Sequence, residues 1–346
     1  MTMLFPAIDT VAFSRRRRTR RYRLLVAGLV LMLGVVFACA LSLGQSFTPP
    51  GDIIRLLVGE DVPGLAFTIG QLRFPRAVLS ILSGLSFGIG GVAFQIMLRN
   101  PLASPDIIGI SSGASAAAVF AIVVLSLSGP IVSVFAVAAG LAVALVVYGL
   151  SFRNGVAGTR LILIGIAVSA MLESVTAYIL SGAPAWSLQE AMRWLTGSVN
   201  GARLDQALPL LAVLVVLGAL LLSRGRDLEA LRLGDDTAAA LGVRMGVTRV
   251  VVIIAAVGII ACATAVTGPI AFVAFLSGPI AARIVGPSGS LLIPATLVGA
   301  ILVLVGDYCG QYLLPTRYPV GVVTGALGAP YLIFLIVRVN RTGGSL

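Results

Sequence analysis

Residues 73–113 read RFPRAVLSILSGLSFGIGGVAFQIMLRNPLASPDIIGISSG, and their pattern decides the fold. Arg73 and Arg76 flank Phe74-Pro75, and an apolar, glycine-rich run of about one membrane thickness follows. The run breaks at Arg99-Asn100-Pro101, bends through Pro105-Asp106 and turns apolar again at Ile107. This is a membrane helix, a tight polar turn and the start of a second helix. Prolines stand where helices end, and Gly84, Gly88, Gly109 and Gly113 let backbones approach closely.

The rest of the chain has the same character. Of 346 residues, 58% are hydrophobic and 11% charged, with a mean hydropathy of +1.07. Charged residues occupy the gaps between apolar runs of roughly 16–23 residues, as a polytopic helical membrane protein requires. The net charge of +11 does not point to nucleic acid, because the basic residues lie mainly at helix ends and form no aromatic-interleaved patch. All 24 basic residues are arginine, and the sequence has no histidine. Without lysine there is no P-loop to hold a nucleotide. Without histidine the usual metal ligands, proton shuttles and Ser-His triads are missing. An energy source must therefore come from another chain, and no cofactor is expected. Cys39, Cys262 and Cys309 all lie in apolar runs and read as small core hydrophobes.

Residues 1–23 form a basic tail, with seven arginines between Arg15 and Arg23, expected at the cytoplasmic face against anionic headgroups. Leu24–Leu43 is longer than a signal-peptide core and reads as an uncleaved first span. An outside segment through Thr48-Pro49-Pro50-Gly51 leads to Arg73. Further spans are predicted at Ala77–Leu98, Ile107–Leu127, Ile131–Phe152, Leu161–Leu180 and Ala207–Leu222. The remaining four are Val250–Val266, Ile270–Ile284, Leu291–Leu313 and Val320–Val337. The expected fold is an all-α polytopic membrane protein of about ten transmembrane helices over residues 24–338, with a cytoplasmic tail at 339–346. With both termini inside, 18 arginines fall on cytoplasmic segments and six outside: Arg55, Arg73, Arg76, Arg193, Arg203 and Arg317. Spans two to five and seven to ten are set out so that they could be related halves, though their sequence similarity is weak. Five crossings separate the second span from the seventh, so the repeat would be inverted.

Polar residues within this pattern are few. The longest interruption expected inside, about residues 224–249, centres on Leu233-Gly234-Asp235-Asp236-Thr237-Ala238-Ala239-Ala240-Leu241-Gly242-Val243. It reads as a short helix that Asp235 or Asp236 caps and Gly242 ends. Its apolar stripe (Ala239, Ala240, Leu241, Val243) predicts a surface to be buried against a partner. Glu173 and Asp307 are acids inside spans, where a carboxylate is costly and faces a cavity or a partner. Glu173 either lines a pathway or hydrogen-bonds to Ser169 or Thr176 on its own helix face. Arg73 and Arg76, taken alone, are interfacial anchors.

Four motifs, in order, resemble the permease subunits of bacterial ABC importers for iron–siderophore complexes, haem and cobalamin. They are the Arg-Phe-Pro-Arg opening, Arg99-Asn100-Pro101-Leu102-Ala103, Gly109-Ile110-Ser111-Ser112-Gly113-Ala114, and the Gly-Asp-Asp-Thr-Ala…Ala-Leu-Gly-Val segment, whose wording looks most like the catecholate-siderophore branch. The resemblance implies the ten-span inverted-repeat fold of a type II importer permease. It implies that Leu233, Gly234, Asp235, Asp236, Thr237, Ala240, Leu241, Gly242 and Val243 belong to a coupling segment seated in an ATPase subunit. It also implies that Arg73 and Arg76 face acidic residues of an extracytoplasmic siderophore-binding protein. A third arginine of the vitamin-importer branch is Gln311 here, with Arg317 close by as a substitute. The Pro-His-Ile-x-Arg segment of the family reads Gly278-Pro279-Ile280-Ala281-Ala282-Arg283, with proline where histidine is usual. The tenth span follows the pattern from Pro319 to Pro330, its small face suited to dimer or gate packing, and Thr324 joins Glu173 as a pathway candidate.

The partners so implied are two ATPase subunits, a second and different permease chain, the binding protein, a ferric siderophore and membrane lipids. The site is the bacterial cytoplasmic membrane. A proton- or ion-coupled secondary transporter is the alternative, but it needs carboxylates in broken mid-membrane helices, and only Glu173 and Asp307 qualify. A membrane-embedded enzyme lacks a nucleophile–base pair.

Overall fold

Apolar chain in a bilayer must satisfy every backbone polar group internally, and here it does so with helices. The computed structural model describes residues 5–60, 62, 64–104, 109–151, 158–286 and 289–342. The Pro105-Asp106 turn and the last residues of the C-terminal tail lie outside them. Each of the ten predicted spans is a helix: α1 (Phe5–Ser42), α3 (Phe74–Leu98), α4 (Ile110–Val123), α5 (Pro130–Ser151), α6 (Gly158–Ser181), α8 (Leu204–Ser223), α11 (Met245–Thr267), α12 (Val273–Val285), α13 (Leu292–Tyr308) and α14 (Val320–Thr342). Between them lie four short helices: α2 (Pro50–Leu57), α7 (Ala185–Leu195), α9 (Gly225–Leu231) and α10 (Asp235–Ala240). Seven helical segments among the described residues are long and apolar enough to cross a membrane; α4, α12 and the apolar part of α14 are shorter.

Helix boundaries follow local chemistry. A π-helical turn, Ala66–Arg73, runs straight into α3, and Pro75, which offers no N–H, stands where one hydrogen-bonding pattern gives way to the other. At its far end Arg99 turns left-handed, and the Asn100 N–H closes on the Gln95 carbonyl at 3.0 Å. The Asn100 side chain then accepts from the Leu102 N–H at 2.9 Å, a side-chain turn that stops the helix. The basic tail continues into the first span. From Phe5 it is one helix with the first span, since residues 7–27 contain neither glycine nor proline and arginine is a good helix former. The eighth span starts at Val273 rather than Ile270, because Gly268 and Phe272 both have positive φ and hold the stretch between them out of the helix.

The most intimate crossing is α3 on α13. A Cβ at Gly84 would strike the Gly299 carbonyl and the Ala300 backbone, and one at Gly88 would strike the Ala295 carbonyl. Backbone therefore lies on backbone, which is how helices associate where lipid removes the hydrophobic drive. Other contacts obey the predicted halves. If α3–α6 correspond to α11–α14, the contacts α3–α13, α3–α12, α4–α6 and α5–α6 have counterparts in α11–α5, α11–α4, α12–α14 and α13–α14. The two short members, α4 and α12, each begin at a left-handed residue, Gly109 and Phe272.

Candidate functional site

Polar chemistry collects at three places. The first is the Arg76 end of the α3–α13 crossing. Facing residues run Gly88 to Ala295 and Gly84 to Gly299, an antiparallel register. Two turns further along both helices it brings Arg76 opposite Asp307. The guanidinium donates from Nε to Oδ2 and from Nη2 to Oδ1, both at 2.6 Å, a bidentate pair with side chains 17% and 7% exposed. Arg73 is 6% exposed. Its guanidinium donates to the Leu41 carbonyl at 2.8 Å, the Ser46 carbonyl at 2.9 Å and Thr48 Oγ1 at 3.4 Å. Gly44 makes room, for a Cβ there would overlap the guanidinium. Arg73 thus satisfies carbonyls at the end of α1 and fixes the loop beyond it. Both arginines were expected as presented docking cations. The structure spends them inside the chain, because a guanidinium at this depth is stable only with its donors met. Arg317 is exposed.

A cavity of about 850 Å³ is the second place. Glu173 and Thr176 of α6, Ser111, Ser112 and Ser115 of α4, and the aromatic pair Phe272 and Phe275 line it. Its walls are mostly apolar, with hydroxyls and one carboxylate, and none of its described lining residues is cationic. The Glu173 side chain is exposed, and among the described residues it has no hydrogen bond or ion pair. Thr176 instead donates to its own helix at the Leu172 carbonyl, 2.8 Å away. Thr324, the other pathway candidate, stands apart. It is 6% exposed, its hydroxyl donates to the Val320 and Gly321 carbonyls, and its methyl covers Gly306 of α13. Its described contacts are with its own helix and with α13. Of the lining serines, the sequence motif contains Ser111 and Ser112 but not Ser115; the four-residue step from Ser111 to Ser115 is the signal that those two share a helix face.

The third place is the pair α9 and α10. Leu228, Leu231 and Ala238 are fully buried and dock the pair on the bundle. Asp235 receives Arg249 at 2.8 Å and Arg99 at 3.3 Å, tying α10 to α11 and to the end of α3. The cap differs from the expected one: Gly234, at φ 110°, precedes the helix and neither aspartate caps with its side chain. Asp235 and Asp236 lie in the first turn, where a negative charge is still favoured. Gly242 ends the helix with φ 87°, as predicted. Outward, Leu233 and Leu241 are 65% and 64% exposed, with Asp236, Thr237, Ala239 and Ala240 exposed between them. Val243 is half-buried. On the basic side of the bundle Tyr22 of α1 covers Gly289, and burial, helped by Glu229 of α9, pushes its phenol pKa up.

A ten-span helical bundle with a polar-dotted cavity and a pinned but uncovered pair of short helices defines the membrane subunit of a transporter. Residues 29–338 match the FecCD transport family, and the chain belongs to it. It is 36% identical over 325 residues to the ferric enterobactin transport system permease protein FepG of Escherichia coli, covering 92% of this chain and 98% of that one. It is 37% identical over 330 residues to the achromobactin transport system permease protein CbrC of Dickeya dadantii, covering 94% of each. A solved metal-chelate type ABC transporter, in an inward-facing conformation, superposes with a TM-score of 0.79 at 26% identity over 92% of this chain and 99% of that one. The chain is a multi-pass membrane protein and the permease subunit of an ABC importer. A proton-coupled mechanism is not favoured, because Asp307, one of its two candidate acids, is held by Arg76.

Proposed function

We propose that the chain carries a ferric siderophore of the catecholate or a related class across the bacterial inner membrane, as one of two different permease chains around a central pathway. Two ATPase subunits supply the energy and a siderophore-binding protein delivers the cargo. The cavity with Glu173 forms this chain's share of the pathway. The N- and C-termini and the segment 224–249 face the cytoplasm, in keeping with 18 of 24 arginines on that side. The observation that carries the reading is α10. It is fixed from behind by the Asp235 ion pairs, yet the two leucines that flank it, Leu233 and Leu241, lie open to solvent where a soluble partner would cover them.

Leu241→Asp is therefore expected to insert normally and to lower co-purification with the ATPase by about tenfold or more, since the new charge would be buried without a partner. Undiminished co-purification and uptake would reduce the segment to a loop. Of the docking cations expected from the sequence, Arg317 is the exposed one, with no ion pair among the described residues. Reversing it with Arg317→Glu should slow association of the binding protein at low ionic strength and matter less at high, measured by surface-immobilised binding kinetics. An association rate that does not change with salt would remove Arg317 from the docking surface.

A further inference from the structure

Gln95 sits in the last turn of α3, 6% exposed, wedged between the α3–α4 turn and α12. A side-chain amide has two N–H donors. Nε2 uses both on backbone, giving one to the Pro101 carbonyl at 3.0 Å and one to the Phe275 carbonyl at 2.8 Å. The second acceptor is the informative one. Phe275 lies four residues before Pro279, which stands inside α12 and has no N–H to offer it. In an unbroken helix residue 279 would meet that carbonyl; here a side chain from another helix does. Gly278 allows the approach, since a Cβ there would collide with the amide oxygen.

This contact lies in a partition. On one side is the cavity that holds Glu173, reached by Leu102 and Phe275. On the other is a second cavity of about 530 Å³, lined by Gln95, Pro101 and Pro279 and by Arg99, Arg232 and Arg283. The two share no lining residue among those described, and the boundary passes between Pro101 and Leu102 and between Phe275 and Gly278. Those are the two segments that Gln95 ties together.

We propose that Gln95 is the positioning residue of this partition: by supplying the hydrogen bond that Pro279 removes, it clamps the α3–α4 turn to α12 and keeps the two cavities apart. The bond that α12 gives up to proline becomes a bond between elements. Such a tie can be broken and remade as helices move, whereas a bond inside one helix leaves its neighbours free. That this closure is part of transport rests on the importer reading above; the closure itself does not.

The test uses the full chain with Cys39, Cys262 and Cys309 replaced by serine and Ser115→Cys introduced in the Glu173 cavity. A membrane-impermeant thiol reagent is added to inverted vesicles, on the arginine-lined side. Gln95→Leu is expected to raise the labelling rate about tenfold, the size of two lost hydrogen bonds, and to lower thermal stability. Adding Pro279→Ala returns an N–H to the Phe275 carbonyl. Stability should then recover while labelling stays high, because the α3–α4 turn is still untied. If Gln95→Leu does not accumulate, Gln95→Asn, whose shorter amide cannot reach both carbonyls, is scored by the same criteria. A labelling rate equal to that of the parent, or one fully restored by Pro279→Ala, overturns the proposal, since Gln95 would then only mend a helix break. Uptake of ferric siderophore by the unaltered system is measured alongside. Its failure would count against the importer reading while the labelling series still decides the role of Gln95.

Discussion

Helices α3 and α6 are both apolar spans, and the protein treats a charged side chain of each, Arg76 and Glu173, in opposite ways. In the segment Ala66–Leu98, which contains α3, 83% of the residues of the most apolar window are buried within the chain, against 11% in Arg160–Ser181 of α6. Around α3 most neighbours are protein, and Arg76 finds its counter-charge there in Asp307. Around α6 much of the surface is left for lipid, a partner chain or the cavity, and Glu173 faces the cavity with its carboxylate unengaged by any described residue. An intramembrane charge is structural where helices enclose it and available for function where they do not. The amino acid alone does not distinguish the two cases.

The contrast is broken most severely at the enclosed end. Asp307→Ala leaves the Arg76 guanidinium without its partner at 17% exposure, and should cost about 3–5 kcal/mol. Thermal unfolding of the detergent-solubilised protein measures this as a lower midpoint. The double variant Arg76→Leu with Asp307→Leu should recover most of the loss, because an apolar pair of similar volume needs no counter-charge. If the single variant is as stable as the parent, the register argument for the α3–α13 crossing fails. A double variant no better than the single would mean the pair acts through something other than charge compensation.

At the open end the effect on stability should be small. Glu173→Gln is expected to shift stability by no more than about 0.5 kcal/mol, as for a surface position free of special contacts. Transport should change nonetheless, because the charge on the cavity wall is gone. In the same cysteine-free background, Glu173→Cys should react with a water-soluble thiol reagent, and ferric siderophore should slow the reaction. An unlabelled Glu173→Cys variant that still transports would move Glu173 from the pathway to a helix interface.

Much of this was legible in the sequence. Ten apolar runs gave ten helices, and Arg99-Asn100-Pro101 stopped α3 where a polar, proline-bearing turn must. Boundaries slipped where backbone geometry took over from hydropathy. Ile270 is as apolar as its neighbours, yet the left-handed Phe272 keeps it outside α12. The candidate sites were read unevenly for a related reason. Leu241, exposed just past α10, belongs to the apolar stripe read in the sequence, Leu233 does not, and Val243 of that stripe is half-buried; Arg73 and Arg76, sited correctly at a helix start, have partners inside the chain that the local pattern did not show. Those partners, Leu41, Ser46 and Thr48 for the one and Asp307 for the other, are distant in sequence.

The sequence by itself determined what depends on short range: which segments can live in a bilayer, where they must stop, which chemistry is impossible without lysine or histidine, and which surface is apolar without cover. Tertiary structure alone decided which polar groups are already spent. The antiparallel register of α3 on α13 put Arg76 on Asp307. The loop after α1 wrapped Arg73, and the proline in α12 found its missing donor in Gln95. In lipid a polar group settles on whichever donor or acceptor the packing brings within about 3 Å, and packing is set by glycines and helix crossings far away along the chain.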